Sequence, residues 1–203
     1  MELKYQLISL NKLLEAYDED EKVKEILNSF ECINNIDVEK FLHEKAILFD
    51  KQGISKTHLV YTSYKEKMVL VGYFTLANKN FVVKNSSRIS KSLKKRIAKF
   101  GHHNDELRQY IITAPLIGQL GKNDKYKDLI QGDVLLKFAC DEIRKVHAVI
   151  GGRFAYLECE DKPKLLEFYT SNGFVVFGKR ELERDEQEDM SGKYLIQLLK
   201  ELK

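Results

Sequence analysis

The segment from Ala155 to Gly178 constrains the fold more than any other stretch of the chain. Tyr156, Leu157 and Cys159 suit a buried strand. Pro163 stands where a helix can begin, because its missing N–H has no partner to lose there. Leu165, Leu166, Phe168 and Tyr169 give that helix an apolar face. Asn172-Gly173 stops it, since glycine takes the left-handed cap conformation without strain. Phe174 to Phe177 then starts a second strand. Strand, helix and strand are thus packed into one short span.

The rest of the chain bounds the class. A length of 203 residues fits one domain, and an apolar fraction of 43% is ordinary for a globular core. The net charge of +3 demands no nucleic-acid partner. Charge is unevenly spread, however. Lys84 to His103 carries seven Lys or Arg and no acid, whereas Glu181 to Asp189 carries six acids. Cys32, Cys140 and Cys159 are scattered, odd in number and set in apolar patterns, so free thiols in a reducing compartment are expected, with no metal motif. The first residues, Met1-Glu-Leu-Lys-Tyr-Gln, lack a signal-peptide core, and no apolar run reaches membrane-spanning length. These features point to a cytoplasmic protein with no membrane partner.

Periodicity places the other elements. A strand is expected over Tyr5 to Leu10, then helices over about Glu19–Phe30 and Asp37–Lys51. A hairpin follows, Thr57–Ser63 with Met68–Leu76, turning through Tyr64-Lys-Glu-Lys. Ser90–Phe100 reads as a basic helix with the apolar stripe Ile89, Leu93, Ile97 and Phe100. Leu107–Leu120 is a long strand, Gly132–Val146 a helix, Phe154–Glu160 a strand and Tyr194–Leu199 the last strand. The expected class is α/β of the α+β type.

Taken with the Phe168-Tyr-Thr-Ser-Asn-Gly-Phe174 sequence, this order resembles the GCN5-related N-acetyltransferase (GNAT) family, whose C-terminal signature is "FYxxxGF". The resemblance in element order covers nearly the whole chain, and the sharp motif covers about Tyr156–Phe174. It implies a central mixed, mostly antiparallel sheet with splayed central strands and helices on both faces. It implies one acetyltransferase-like domain over 1–203, with an inserted basic helix near 88–100. In the family, coenzyme A lies where the fourth and fifth strands splay. Strand backbone holds its pantetheine arm, and amides at the next helix start hold its pyrophosphate, where free N–H groups and the helix dipole favour anions.

The resemblance assigns roles residue by residue. Leu120 and Gly121 fall at the pantetheine position, and Lys127, Gln131, Gly132 and Asp133 at the phosphate loop. Ile130 replaces the loop's usual middle glycine, and isoleucine does not take positive φ cheaply. Gly118 and Gly121 mark a bulge or a close approach of ligand to backbone, and Pro115 suits a splayed position. Tyr169 stands where the family keeps the acid that protonates the departing thiolate; a phenol is protonated at neutral pH. Glu158 and Glu160 share one strand face and are candidate bases for the acceptor amine, or else salt-bridged carboxylates. Cys159 points to the other face as a buried thiol, and His102-His103 reads as surface loop without a carboxylate partner. The implied activity is direct acetyl transfer from acetyl-CoA to an amine on a small molecule or a macromolecule. The alternative is a catalytically inactive binding module contacting nucleic acid or protein through 84–103. A helix docked by its stripe, charges outward, is the favoured reading of that segment.

Overall fold

The computed structural model describes residues 4–17, 19–183 and 192–202. The expected acidic run from Glu181 therefore lies outside the described residues from position 184 onward. The chain forms two compact units, Met1–Ala77 with Gly118–Ala139, and Asn78–Ile117 with Cys140–Lys203.

The first unit holds β1 (Tyr5–Ser9), α1 (Leu10–Ala16), α2 (Asp20–Leu27), α3 (Ile36–Lys40), α4 (Ala46–Lys51), β2 (Lys56–Tyr64) and the first half of β3 (Lys67–Lys84). It also holds the end of β5 (Gln109–Lys122) and the start of α6 (Gly132–Ile150). β1 pairs antiparallel with β2, Leu7 opposite Val60, and β2 with β3, Leu59 opposite Tyr73. The hairpin turn puts Lys65 and Glu66 at φ of 49° and 64°. That is the twist a two-residue hairpin needs, achieved here without glycine. The helix expected over 37–51 is present, but a wider π-type turn at Phe41–Lys45 interrupts it, with the His43 ring meeting the Phe30 carbonyl at 3.0 Å. Leu10, Leu27, Phe30, Leu42, Leu59 and Tyr73 form the core, each fully buried. α1 is an element that periodicity did not indicate.

The second unit holds the rest of β3, α5 (Lys91–Phe100), β4 (His102–Asn104), the start of β5, the rest of α6, β6 (Phe154–Glu160), α7 (Pro163–Ser171), β7 (Val175–Glu181) and β8 (Tyr194–Glu201). β6 pairs with β8 along its length, from Phe154 opposite Glu201 to Glu160 opposite Leu195, and β8 pairs with β7. Phe154, Ala155, Tyr156 and Leu157 are all buried, so both faces of β6 are covered there. The strand expected over Leu107–Leu120 is present as β5, two residues further on, and β4 adds a short hairpin partner to its start through a turn with Arg108 at φ 49°. Ser90 caps α5, its hydroxyl accepting from the Leu93 amide at 3.2 Å. Leu93 and Ile97 are buried as the stripe requires, with Ile89 packed beside them. Phe100 departs from the expected stripe: it is 43% exposed, set edge-to-face with Phe154 at 6.0 Å between ring centroids.

Hydrogen bonding orders the strands β1-β2-β3-β5-β6-β8-β7, with β4 off that path on β5. The class is mixed α/β with a mostly antiparallel eight-stranded sheet. β5 and β6 are parallel, and they pair at two positions, Leu116 with Tyr156 and Ile117 with Leu157. Pairing of these strands thus ends two residues past Pro115 rather than at the proline.

Candidate active site

The residues expected to form a phosphate loop follow β5 in the first unit. Asn123, fully buried, ends the strand: its amide donates to the Val71 carbonyl at 2.9 Å, and its Nδ2 donates to the Leu70 carbonyl at 2.8 Å. Its Oδ1 accepts from the Lys125 amide at 3.1 Å, which starts a short 3-10 turn at Asp124–Tyr126. Lys122 then folds over the loop, donating to the carbonyls of Lys127 at 2.9 Å and Ile130 at 3.1 Å. Lys125 pairs with Glu31 at 2.8 Å. These two lysines are therefore scaffold, and the exposed Lys127 is the cation left to face an anion. Sequence reasoning missed Asn123, although an Asn directly after a strand is a turn signal.

Ile130 presents no obstacle. Its φ is not positive, and its side chain is buried at 1% exposure. The loop needs no glycine there because the chain reaches α6 by an ordinary backbone path. The Gln131 carbonyl accepts from the Leu135 amide at 3.1 Å, which makes Gln131 the cap residue. The Val134 amide donates to the Asp133 carboxylate at 2.9 Å. Gly132 and Asp133 keep amides without an acceptor among the described residues, at the positive end of a 19-residue helix. The Asp133 carboxylate works against an anion at the same place.

Upstream, the Gln119 amide donates to Thr75 Oγ1 at 2.9 Å and the Asn123 amide to β3. Backbone direction alternates along a strand, so the N–H and C=O of Leu120 point to the opposite edge of β5. Gly121 has a structural reason to be glycine. A Cβ there would lie 2.4 Å from Val38 Cγ1 and 3.2 Å from the Phe30 ring. Its close approach is to α3. Val38 cannot easily give way, because its carbonyl accepts a short hydrogen bond from the buried Tyr73 hydroxyl.

Tyr169 lies on α7 in the second unit. Gly173, at φ 82°, lets the Phe174 amide reach back to the Tyr169 carbonyl at 3.0 Å. The glycine of the motif therefore fixes the backbone of its tyrosine. The Tyr169 ring packs edge-on against Phe168 and Phe174, at 5.0 and 6.0 Å between centroids. Its hydroxyl has no hydrogen-bond partner among the described residues. Burial, with the Cys159 thiol adding to it, pushes its pKa well above the ordinary phenol value. The group is a proton donor at any physiological pH.

Glu158 is not a free base. Both its oxygens are held by Arg180, Nε to Oε1 at 2.8 Å and Nη2 to Oε2 at 2.6 Å. Lys79 Nζ stands 3.4 Å away, Gln197 Nε2 3.3 Å, and the Tyr156 hydroxyl donates a short bond to Oε1. Burial works to raise its pKa, but Arg180, Tyr156 and Lys79 outweigh it, and the carboxyl sits below its usual range. An anion so stabilised is a weak proton acceptor. Of the two roles open to it in sequence, the geometry favours the salt-bridged carboxylate. Glu160, on the same face, accepts from Lys162 at 2.6 Å.

The remaining candidates fall away. Cys159 is buried, and its pKa is pushed up to about 11 by burial and by Asp161 and Glu160, so it is no nucleophile. His103 does have a carboxylate partner, Asp105 at 2.9 Å, and His102 and His103 belong to β4 rather than to a loop. Among the described residues no group of three or more His, Cys, Asp or Glu could hold a metal ion, and no helix is long and apolar enough to cross a membrane.

No protein-family model matches the sequence, and no curated protein matches it. Solved structures do. The chain is similar to AtaT complexed with acetyl-methionyl-tRNAfMet, with TM-score 0.63 and 18% identity over 95% of this chain and 94% of that one. It is similar to a tyrosine-to-phenylalanine mutant of KacT, with TM-score 0.62 and 16% identity over 97% and 94%. It is also similar to a mutant AtaT toxin bound to the C-terminus of the antitoxin AtaR and acetyl-CoA, with TM-score 0.58 and 15% identity over 99% and 94%. At these identities the likeness establishes the fold. The GNAT-like fold expected from the sequence is the one this chain shares with them.

Proposed function

We propose that the protein is an acetyl-CoA-dependent N-acetyltransferase that moves the acetyl group directly to an amine, without an acyl-enzyme. The observation that carries this reading is the fold shared over nearly the full length with a toxin solved with acetyl-CoA. The local geometry agrees with it. The Gly132 and Asp133 amides bind the donor's pyrophosphate, with Gln131 shaping the helix start and Lys127 adding charge. The outward backbone groups of Leu120 bind the pantetheine amides, and Gly121 keeps that strand seated on α3. Tyr169 protonates the sulfur as the thioester C–S bond breaks and the C–N bond forms. Glu160, whose partner Lys162 is half-exposed, takes the proton that the amine sheds, because Arg180 holds both oxygens of Glu158.

The acceptor is the finer part of the reading. A neighbouring toxin is solved with an acetylated aminoacyl-tRNA. We therefore place the acceptor amine on a macromolecule, with the amino group of an aminoacyl-tRNA as the first candidate, in a cytoplasmic setting. The test is thiol release from acetyl-CoA with a panel of aminoacyl-tRNAs and small amines. Acceptor-dependent release supports the reading. Tight acetyl-CoA binding with no release on any acceptor favours the inactive binding module instead.

A further inference from the structure

A groove of about 460 Å³ lies within the second unit, and the proposed mechanism does not use it. Its floor includes Val82, Val176 and Ile196. Val82 and Val176 are 37% and 39% exposed, so the floor is an apolar surface open to solvent. Its rim carries Lys84, Arg88 and Lys179, with the hydroxyls of Ser86 and Ser87 between them. Among the described residues no carboxylate lines it, and none of the three cations has an ion pair. The Lys179 ammonium stands over the Tyr194 ring at 4.0 Å.

Gln197, in the wall, has a fixed orientation. Its Nε2 is spent on the Tyr156 hydroxyl at 2.8 Å and on Glu158. Its Oε1 is thereby turned toward Gly178, 3.0 Å from where a Cβ on that glycine would lie. Gly178 also lines the groove, so an amide oxygen is presented there as an acceptor, held by the buried network beneath. The basic stretch from Lys84 to Lys99 leads away from the rim with seven cations and no acid. Arg96 is tied to Glu201 at 2.7 Å and Lys94 to the Asn85 carbonyl at 2.8 Å, but Lys91, Lys95 and Lys99 are exposed.

We infer that this groove binds an unstacked nucleotide of a single-stranded RNA segment. The base lies on the apolar floor with its exocyclic amino group toward Gln197 Oε1, and the flanking phosphates meet Lys84, Arg88 and Lys179. An apolar floor with a cationic rim is the combination that single-strand binding uses, since every base has an apolar face and every linkage a charge. The same rim repels a protonated amine, so the groove holds the carrier of an acceptor and not its reacting group. The inference rests on the proposed acetyltransferase reading for its purpose, while its binding test needs no catalysis.

Fluorescence anisotropy with a labelled single-stranded RNA of about ten nucleotides decides it. The proteins are wild type, the triple variant Lys84→Ala, Arg88→Ala, Lys179→Ala, and a charge-matched control, Lys12→Ala, Lys22→Ala, Lys45→Ala. All six substituted side chains are exposed, and matched melting temperatures confirm that the variants fold. The expected result is a tenfold or greater loss of affinity in the triple variant and less than twofold in the control. The salt slope of log K falls by about 2 in the triple variant, because each single-strand phosphate contact contributes about 0.7. Equal losses in both variants, or no binding by wild type at low salt, overturn the inference. So does single-stranded DNA binding as tightly as RNA, or a free mononucleotide competing as well as the oligonucleotide. Acetyl-CoA calorimetry on the same proteins separates the two readings. Loss of acetyl-CoA binding in the triple variant would assign the groove to the donor's own nucleotide. RNA binding by a wild type that takes up no acetyl-CoA would leave the groove standing and remove the proposed function.

Discussion

Replacing Glu158 with glutamine distinguishes a structural anion from a catalytic base. The side chain keeps its shape, but one oxygen becomes an NH₂ group facing the Arg180 guanidinium, donor against donor. Breaking a buried ion pair by removing one partner costs about 3–5 kcal/mol. Glu158 is 7% exposed, but Arg180 is 20% and Lys79 36% exposed, so water recovers part of the loss for the two cations. The expected cost falls at or just below the low end, about 2–3 kcal/mol. For a chain of this length that lowers the melting temperature by about 4–12 °C. Urea unfolding at pH 7.5, fitted for wild type and Glu158→Gln, measures it. The pH dependence gives a second check. The native carboxyl is held below its ordinary pKa, so the pair stabilises fully above the unfolded value of about 4.3. As pH falls below that, the unfolded chain takes up the proton first, and the gap between wild type and variant closes. An unchanged urea midpoint, together with loss of the acidic limb of kcat/KM, would refute the reasoning and restore Glu158 as the base.

Other perturbations follow from the same geometry. Tyr169→Phe removes one hydroxyl that has no partner among the described residues, so acetyl-CoA affinity by calorimetry should hold while turnover by thiol release falls about 10²–10⁴-fold. Gly121→Ala forces a Cβ against Val38 and should cost about 1–3 kcal/mol in urea unfolding. Adding Val38→Ala should make the double variant more stable than the two single costs predict, as neighbours in contact couple by about 0.5–3 kcal/mol. His147 has a pKa lowered chiefly by burial, and neither ring nitrogen meets a partner in good geometry. Wild-type stability should therefore decline as pH falls through about 6.5, where the unfolded histidine charges first, and His147→Leu should flatten that decline between pH 7.5 and 5.5.

The C-terminal half of the fold was legible because its signals are local. Pro163 at a helix start, Gly173 at its end and the apolar run from Phe154 to Leu157 each act within a few residues. The hairpin turns were harder to bound. Lys65, Glu66 and Arg108 adopt left-handed φ without being glycine, and β3 runs 18 residues, past the expected end at Leu76 to Lys84. α1 spans seven residues with one buried side chain, too short for a periodic stripe. At the site, Tyr169 and the start of α6 were readable because a motif and a glycine mark them. The pairing of Glu158 with Arg180 was not, because the two are 22 residues apart and are brought together through β8, which pairs with both of their strands. The reason for Gly121 was equally hidden. Nothing in the sequence around it names Val38 as the atom it avoids.

The central claim is that this chain binds acetyl-CoA at the start of α6 in order to transfer its acetyl group. Isothermal calorimetry of acetyl-CoA into the purified full chain tests it most directly, with Gly132→Pro as the comparison. That substitution removes one of the two unpartnered amides at a position where proline suits a helix start. The account predicts one donor per wild-type chain, with a Kd between about 1 μM and 1 mM. It also predicts weaker binding in the variant at an unchanged melting temperature. No heat at millimolar acetyl-CoA, or equal affinity in a folded Gly132→Pro variant, would contradict it.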